Sequence, residues 1–249
     1  MIRSFCYVIS RIKERVSLLL WSRILFSFSV KKDLSKIFSF FARSYREKYL
    51  KYLKDYDRVN NLFIKKKFFG NFIFYMRHCD FGALKEVLLD KDYFLLQDFL
   101  PKKGDIILDL GAGTGDYAIL CSLKIGNGKI VSIEADKFVY KLLTKNIQLN
   151  KRNNIVPLNI KVGKEKIDKI VKKLKLHKLD LIKIDIEGYE YVALCSAKYS
   201  LKKFRPKIII EIHSEKLRRK IIELLKGFDY ELVYEKLKKD MGFYLSYFK

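Results

Sequence analysis

The sequence has few of the residues that build disulfide scaffolds and structural metal sites. Its 249 residues include 4 cysteines, 3 histidines and 3 prolines. The cysteines are far apart and no two of them form a CxxC pair, while the histidines show no spacing typical of zinc ligands. We therefore expect no bound metal, and we expect the cysteines to be buried free thiols in a reducing compartment.

Long hydrophobic runs are also absent. An apolar stretch over residues 16–30 is interrupted by Arg23, whereas a membrane-spanning helix needs about 20 apolar residues. No small-residue cleavage site follows it, as a signal peptide would require. The stretch is either an amphipathic helix packed on the main domain, which we favour, or a helix lying in a membrane interface. In both cases we expect a cytoplasmic protein.

The charge balance is strongly basic. The chain holds 52 Lys and Arg against 28 Asp and Glu, a net charge of +24, and residues 1–80 contain 18 of the basic and 6 of the acidic residues. Basic and aromatic residues alternate in this first third, and Tyr45–Lys54 shows helical spacing. We predict that residues 1–80 form a mainly helical N-terminal extension with one short strand at Asn71–Met76. Such an excess of charge indicates nucleic acid, an anionic membrane surface or a lysine-rich exterior.

Strand and helix patterns alternate from about residue 104 onward. Apolar runs such as Lys207–Ile212 are apolar on both faces, as strands of a parallel sheet covered on both sides must be. The final two strands follow each other without a helix, which predicts one antiparallel strand at the end of the sheet. Residues 81–249 are therefore predicted to form an α/β domain with a doubly wound, mostly parallel, seven-stranded sheet. The predicted strands cover 105–109, 129–134, 155–162, 179–185, 207–212, 230–235 and 242–248, and the predicted helices cover 117–124, 137–150, 165–176, 189–197 and 215–226.

A glycine-rich turn follows the first of these strands and opens a helix. Asp109–Asp116 reads DLGAGTGD, and such glycines let a backbone approach a ligand while the helix N-terminus offers free N–H groups. A dinucleotide-binding turn would read GxGxxG, and no P-loop pattern is present. The carboxylate of Asp109 would repel a pyrophosphate, but it suits an ammonium group such as that of S-adenosylmethionine.

Acidic residues follow two further strands. Glu134 ends the second strand, where an acid accepts hydrogen bonds from ribose hydroxyls, and Asp136 could share that role. Lys183–Glu190 (KIDIEGYE) follows the fourth strand, so Asp185 and Glu187 are expected at the carboxyl edge of the sheet, where ligands bind in open α/β folds. There the acids could orient an acceptor hydroxyl, take its proton or hold the cofactor. Acids are also common at helix N-termini because they interact favourably with the helix dipole. This structural explanation for an acid in the segment applies least to Asp185.

Three segments together resemble the FkbM family of S-adenosylmethionine-dependent methyltransferases: Asp109–Gly115, Ile133–Asp136 and Ile182–Glu190. The resemblance covers about residues 70–235. It implies a Rossmann-like class I methyltransferase fold, S-adenosyl-L-methionine as cofactor, and O-methylation of a hydroxyl on a sugar, glycolipid or polyketide-like acceptor. It also implies that Asp185 and Glu187 line the reaction centre. The cofactor would be bound by Asp109, Gly111, Gly113, Gly115 and Glu134, with Asp136 beside them.

Methyl transfer to a hydroxyl needs positioning and benefits from a general base. Candidates for the base are Asp185, Glu211 and His213, the last two at the end of the fifth strand. We include His213 with Asp185 and Glu187 as catalytic candidates. The alternative for His213 is a surface histidine that caps the next helix.

The basic charge leaves an alternative function open, an RNA methyltransferase that holds nucleic acid with its N-terminal region. The sequence lacks the Asn-Pro-Pro-Tyr motif of many amine methylases, and no RRM or KH motif occurs in residues 1–80. The predicted catalytic edge of the sheet is acidic, so the net positive charge of the chain is not a property of the active site. We expect a glycan or lipid-linked sugar as acceptor. Residues 1–60 are then a candidate for peripheral contact with an anionic membrane at its inner face.

Overall fold

The computed structural model describes residues 64–67, 72–77, 80–238 and 242–249. The helices predicted within residues 1–60 lie outside these ranges, and so does the apolar stretch at 16–30. Within the described ranges, every helix is too short or too polar to cross a bilayer. The domain boundary that we place at residue 80 stays a prediction.

A seven-stranded sheet forms the centre of the fold, as predicted. Its strands lie in the order β5-β4-β3-β6-β7-β9-β8. The five strands from β3 to β7 are parallel, while β9 runs antiparallel to both β7 and β8. Their bounds are β3 (Ile106–Leu110), β4 (Lys129–Glu134), β5 (Ile155–Asn159), β6 (Leu181–Ile184), β7 (Lys207–Ile212), β8 (Leu232–Lys238) and β9 (Phe243–Phe248).

The antiparallel strand lies one place inside the edge that the sequence predicts for it. β9 returns from its hairpin with β8 and inserts between β8 and β7. Burial explains this order, because most of β9 is buried whereas β8 is only partly buried and carries three charged residues. A charged strand is suited to the exposed edge of a sheet, where it discourages pairing with another chain.

Seven α-helices lie in the described part of the chain, and they cover both faces of the sheet. One buried cluster includes Leu108 and Ile182 with side chains of the later helices, and a second includes Ile107 and Ile209 with side chains of the earlier ones. The two clusters make the fold doubly wound. The helices are α1 (Phe81–Lys85), α2 (Asp116–Lys124), α3 (Lys137–Leu149), α4 (Ile167–Lys173), α5 (Glu190–Cys195), α6 (Lys198–Phe204) and α7 (Glu215–Lys226).

Helix α6 is not predicted from the sequence, which favours a single helix over 189–197. Its N-terminus is held by Asp168 of α4, whose carboxylate accepts hydrogen bonds from the backbone N–H groups of Tyr199 and Ser200. A carboxylate that satisfies such N–H groups stabilises a helix start. Because this partner lies about 30 residues earlier in the chain, local patterns do not reveal it.

A short hairpin precedes the sheet. It pairs β1 (Ile64–Lys67) with β2 (Ile73–Met76) in antiparallel register, and β2 matches the strand predicted at Asn71–Met76. The backbone of β2 is bound by two side chains of α3 and its C-cap: the Asn146 amide bonds both the N–H and the C=O of Tyr75, and Asn150 does the same for Ile73. The hairpin is thereby attached to the helix that follows β4.

Candidate active site

A cavity of about 480 Å³ opens at the carboxyl ends of β3, β4 and β6. This volume falls in the range of about 300–1,000 Å³ that is typical of small-molecule sites, and the position is the one at which open α/β sheets bind ligands. Of the nine predicted site residues, Asp109, Gly115 and His213 are not among those that line the cavity. The six that do line it are Gly111, Gly113, Glu134, Asp136, Asp185 and Glu187.

The glycine turn touches the end of β6 directly. Gly111 has φ +77°, and a Cβ atom there would lie 1.7 Å from the carbonyl oxygen of Asp185. Only glycine permits this approach, and it places Asp185 beside the turn. At Gly113, by contrast, nothing lies within 4 Å of a Cβ position, so the backbone at Gly113 borders open space that a ligand can fill. Gly115 lies against Leu143 of α3 and serves the packing of α2.

Glu134 and Asp136 are fixed by backbone groups. The carboxylate of Glu134 accepts hydrogen bonds from the N–H of Gly113 at 3.0 Å and from the N–H of Asp136 at 2.8 Å. Asp136 caps α3 by accepting from the N–H groups of Phe138 and Val139. A carboxylate offers about four acceptor positions, so Glu134 can also accept hydrogen bonds from a ribose. Burial raises the pKa of Glu134, and its two backbone hydrogen bonds oppose that rise.

A buried ion cluster lies under the glycine turn. Lys183 of β6 is 3% exposed, and its ammonium donates to the carbonyl of Gly111 at 2.9 Å. The same ammonium is 3.5 Å from a carboxylate oxygen of Asp109 and 3.5 Å from one of Asp185. Asp109 is fully buried and accepts no hydrogen bond from the described residues. Burial raises its pKa, and Lys183 opposes the rise. In this structure Asp109 is the charge partner of Lys183.

The sequence analysis missed two of these buried residues. Lys183 interrupts an apolar strand (LIKI), and that interruption is the signal that could have marked it. Asp116 lines the cavity as the first residue of α2 and is 7% exposed. Burial raises its pKa to about 7, although Lys183 opposes the shift. An acid in the first turn of a helix has an ordinary structural explanation, so its sequence position did not distinguish it.

A third missed residue, Tyr93, joins the ends of β6 and β7. It comes from the 3₁₀ turn Asp92–Phe94, and its hydroxyl bonds the carboxylate of Glu211 and lies 3.2 Å from that of Asp185. Burial raises the pKa of Tyr93 well above its usual value, so the hydroxyl stays protonated. Burial also raises the pKa of Glu211, to about 8, and the charge of Asp185 adds to the shift. Tyr93 lies too far from these acids in sequence for any motif to link them.

His213 lies beside this group. Its Nδ1 is 2.7 Å from the buried carboxylate of Glu190, and its Nε2 is 3.7 Å from that of Glu187. Burial opposes protonation of the ring, but the hydrogen bond to Glu190 and the neighbouring carboxylates outweigh it and raise the pKa of His213. The next helix is capped by Ser214, whose hydroxyl accepts the N–H of Leu217. His213 therefore does not act as that cap.

Sequence comparisons match the segments that build this site. A family model described as the methyltransferase FkbM domain matches residues 158–235. The chain is an S-adenosylmethionine-dependent methyltransferase, and its residues 158–235 are similar to the FkbM domain. A second model, described as the TRM5/TYW2 methyltransferase domain, matches residues 98–187. No curated protein sequence is significantly similar to it.

Solved structures share the fold of this methyltransferase. Aeropyrum pernix fibrillarin with natively bound S-adenosyl-L-methionine is similar with a TM-score of 0.53 and 22% identity, over 64% of this chain and 73% of fibrillarin. TYW2 of M. jannaschii in complex with AdoMet is similar with a TM-score of 0.50 and 16% identity, over 75% of this chain and 86% of TYW2. The predictions of a class I fold and of S-adenosylmethionine as cofactor are confirmed.

The cavity of this enzyme suits the cofactor. The open space at Gly113 leaves room for the ligand against the backbone, and Glu134 holds acceptor oxygens where ribose hydroxyls can reach them. Asp116 supplies a buried carboxyl group on the cavity wall, which suits a ligand with a sulfonium and an ammonium group. S-adenosylmethionine supplies an activated methyl group.

Proposed function

We propose that this enzyme transfers the methyl group of S-adenosylmethionine to a hydroxyl of a sugar, glycolipid or similar small acceptor. The observation that carries the proposal is the pair of carboxylates, Asp185 and Glu187, that line the cavity next to the glycine turn. In the transfer, the acceptor oxygen bonds the methyl carbon, the carbon–sulfur bond breaks, and its electron pair stays on sulfur. The hydroxyl proton must leave as well. A carboxylate within hydrogen-bond reach can accept it.

The cavity rim also fits a carbohydrate. Tyr189 lines the cavity and is 44% exposed, so it offers an aromatic surface on which the C–H face of a sugar can pack. The ammonium of Lys161 lies 5.1 Å from the centre of that ring. Carboxylates next to an exposed ring can bind hydroxyl groups and an apolar sugar face at the same time.

A labelled-methyl assay tests the proposal. Full-length enzyme with methyl-labelled S-adenosylmethionine is expected to label a neutral glycan or a lipid-linked saccharide in an acceptor panel. Asp185→Asn should lower kcat by about 10²–10⁴-fold, the usual contribution of a general base, while cofactor affinity stays within threefold. The exposed Glu231→Gln is the matched control and should retain full activity. Label in no hydroxyl-bearing acceptor, or full activity of Asp185→Asn, would contradict the proposal.

The match to the TRM5/TYW2 methyltransferase domain supports RNA methylation as a second candidate. The net charge of +24 favours a polyanion as well. Against it stand the acids at the reaction edge, because Asp185 and Glu187 would repel a phosphate backbone placed there. The same assay with bulk tRNA decides between the candidates. Label in RNA, with binding that falls steeply as salt rises, would support the RNA candidate.

The expected partner of residues 1–60 is an anionic membrane surface, which would place the enzyme in the cytoplasm at the inner face of the membrane. This proposal rests on the basic and aromatic composition of the segment. Full-length protein should sediment with vesicles that contain an anionic lipid and stay in solution with neutral ones. Replacing Arg43, Arg46 and Lys48 with glutamine should weaken the anionic binding. Equal binding to neutral vesicles would contradict an electrostatic contact.

A further inference from the structure

Three metal-binding side chains converge just outside the ends of β6 and β7. Asp185, Glu211 and His213 each offer one ligand atom, and these atoms all lie within 4.8 Å of one another. Two carboxylates and one imidazole form a donor set that suits Mg²⁺, Mn²⁺ or Zn²⁺. The group adjoins the cavity through Asp185, which belongs to both.

The orientation of His213 is independent support for a ligand role. Glu190 has no exposed surface, and it holds the Nδ1 side of the ring at 2.7 Å. Glu190 is itself oriented by the N–H of Gly188, which it accepts at 2.7 Å. Metal-binding histidines are usually held in this way, with one ring nitrogen bonded to a carboxylate and the other free for the metal. Here Nε2 is the nitrogen without a hydrogen bond among the described residues, and the exposed carboxylate of Glu187 lies 3.7 Å from it.

Glu211 is a buried carboxyl group with an unused oxygen. It is 6% exposed, and among the described residues its only hydrogen bond comes from the hydroxyl of Tyr93, to Oε1. No described donor reaches Oε2. Buried carboxylates are normally paired or bound to a metal, so this oxygen is available to a cation.

Among the described residues, carboxyl groups outnumber buried ammonium groups around this site. Four carboxyl groups act on the single buried ammonium of Lys183, namely Asp109, Asp116, Asp185 and Glu211. That ammonium already contacts Asp109, Asp185 and the carbonyl of Gly111. A further positive charge at the Asp185–Glu211–His213 group would offset part of this excess.

We propose that a divalent cation, Mg²⁺ or Mn²⁺, binds to Asp185, Glu211 and Nε2 of His213. This revises the expectation of no bound metal, which rests on zinc-type cysteine and histidine spacings; these ligands come instead from the ends of two neighbouring strands. The cation would bind whatever the acceptor is. Its chemical role rests on the proposed O-methylation, since it would orient the acceptor hydroxyl and lower the pKa of that hydroxyl.

Titration of the full-length protein with Mn²⁺ at pH 8, without cofactor, tests the site. The electron paramagnetic resonance signal of free Mn²⁺ should show one saturable site, and excess Mg²⁺ should compete for it. Glu211→Gln and His213→Ala should each weaken Mn²⁺ binding at least tenfold. Glu231→Gln, an exposed acid with no part in the group, should bind as wild type does.

Two results would overturn the cation site. One is the absence of saturable Mn²⁺ binding by the wild type up to about 1 mM, the weak end for carboxylate-based cation sites. The other is Mn²⁺ binding that persists unchanged in both Glu211→Gln and His213→Ala. Melting curves show whether each variant is folded. If one variant does not fold, Mn²⁺ binding by the other variant tests the site. Mn²⁺ binding without sugar methylation would support the cation site and contradict the proposed acceptor. Sugar methylation by a protein that binds no Mn²⁺ would support the proposed acceptor and contradict the cation site.

Discussion

Lys183 is the residue on which the interior of the active site depends most. Its ammonium is buried against Asp109 and Asp185, and those neighbouring carboxylates raise its pKa despite burial. It therefore remains charged near neutral pH. Because it also holds the carbonyl of Gly111, it joins the charge of the interior to the position of the glycine turn.

Removing this ammonium should strongly destabilise the fold. Lys183→Met leaves Asp109 buried without its partner, which costs about 3–5 kcal/mol in comparable buried pairs. Urea unfolding at pH 8 measures the loss. The double variant Lys183→Met/Asp109→Asn removes the orphaned charge and should recover part of the stability. A single variant as stable as the wild type would show that the pair is dispensable.

Two glycines of the cofactor turn should differ sharply in their tolerance of alanine. Both have positive φ, so alanine costs about 1–2 kcal/mol of backbone strain at either position. At Gly111 the new Cβ would also lie 1.7 Å from the carbonyl oxygen of Asp185, whereas Gly113 faces open space. Gly111→Ala should therefore unfold at clearly lower urea concentration than Gly113→Ala. Equal midpoints would contradict the close contact.

Asp116 should make stability depend on pH. Its folded-state pKa of about 7 exceeds the usual value near 3.9. Between these values the unfolded chain gives up the proton while the folded chain keeps it, so stability falls as pH rises from about 4 to 7. Between pH 4 and pH 8 the wild type should lose about 2–4 kcal/mol more than Asp116→Asn, at about 1.4 kcal/mol per pKa unit. Urea titrations at both pH values check this, and parallel losses in the two proteins would refute it.

At the scale of elements, the contact between β2 and α3 depends on side-chain amides. Asn146 is fully buried, and it bonds both backbone groups of Tyr75 and also the carbonyl of Thr114 in the glycine turn. A single side chain thus attaches the hairpin both to the helix and to the cofactor turn. Because each hydrogen bond contributes about 1 kcal/mol, the hairpin strand depends on it.

Asn146→Ala should release β2 locally. The Tyr75 amide loses its acceptor, so its hydrogen exchange should become at least about tenfold faster, the effect of about 1.4 kcal/mol. The amide of Ile209 in β7 should change less. Thr144→Ala on the same helix is the matched control and should leave the Tyr75 amide unaffected. Unchanged exchange in Asn146→Ala would mean that pairing with β1 is enough to protect this strand.

Local sequence patterns predict some elements to the residue. β4, β7 and α7 have the predicted bounds, since each is a compact apolar or amphipathic run between clear breaks. β5 ends at Asn159 instead of residue 162, and the side chain of Asn159 bonds the backbone carbonyls of Glu134 and Ala135. Elements that depend on distant partners, such as α6 with its Asp168 cap, are missed.

The same division holds within the site. The cofactor side follows from contiguous motifs, because Gly113 and Glu134 come close together through two adjacent parallel strands. Tyr93 reaches Glu211 from 118 residues away. Only the tertiary fold creates that contact, and no spacing in the sequence encodes it.

For the molecule as a whole, cofactor binding should raise the melting temperature. S-adenosylmethionine at 100 times its Kd adds about 2.7 kcal/mol of stability, which corresponds to about 5–10 °C for a domain of this size. Differential scanning fluorimetry measures the shift. Glu134→Ala should abolish most of it, and Glu231→Ala should keep it. An equal rise in melting temperature in both variants would show that Glu134 does not contribute to cofactor binding.

The net charge of +24 and the acidic reaction edge also belong to this scale. Asp185, Glu187 and Glu211 gather at one edge of the sheet, whereas the chain as a whole carries the basic excess. A molecule so divided can be attracted to an anionic surface over long distances and still accept an uncharged group at its centre. Binding to such a surface should weaken with salt, whereas chemistry at the buried edge should depend on it little.

The backbone contact between Gly111 and Asp185 affects how enzymes with this cofactor turn can acquire new acceptors. The two residues meet through main-chain atoms, so the contact requires glycine at position 111 but places no demand on the side chains of the cavity rim. Descendants of a common ancestor can vary the rim around Tyr189 and acquire new acceptors one substitution at a time. Such changes leave the main-chain contact itself in place.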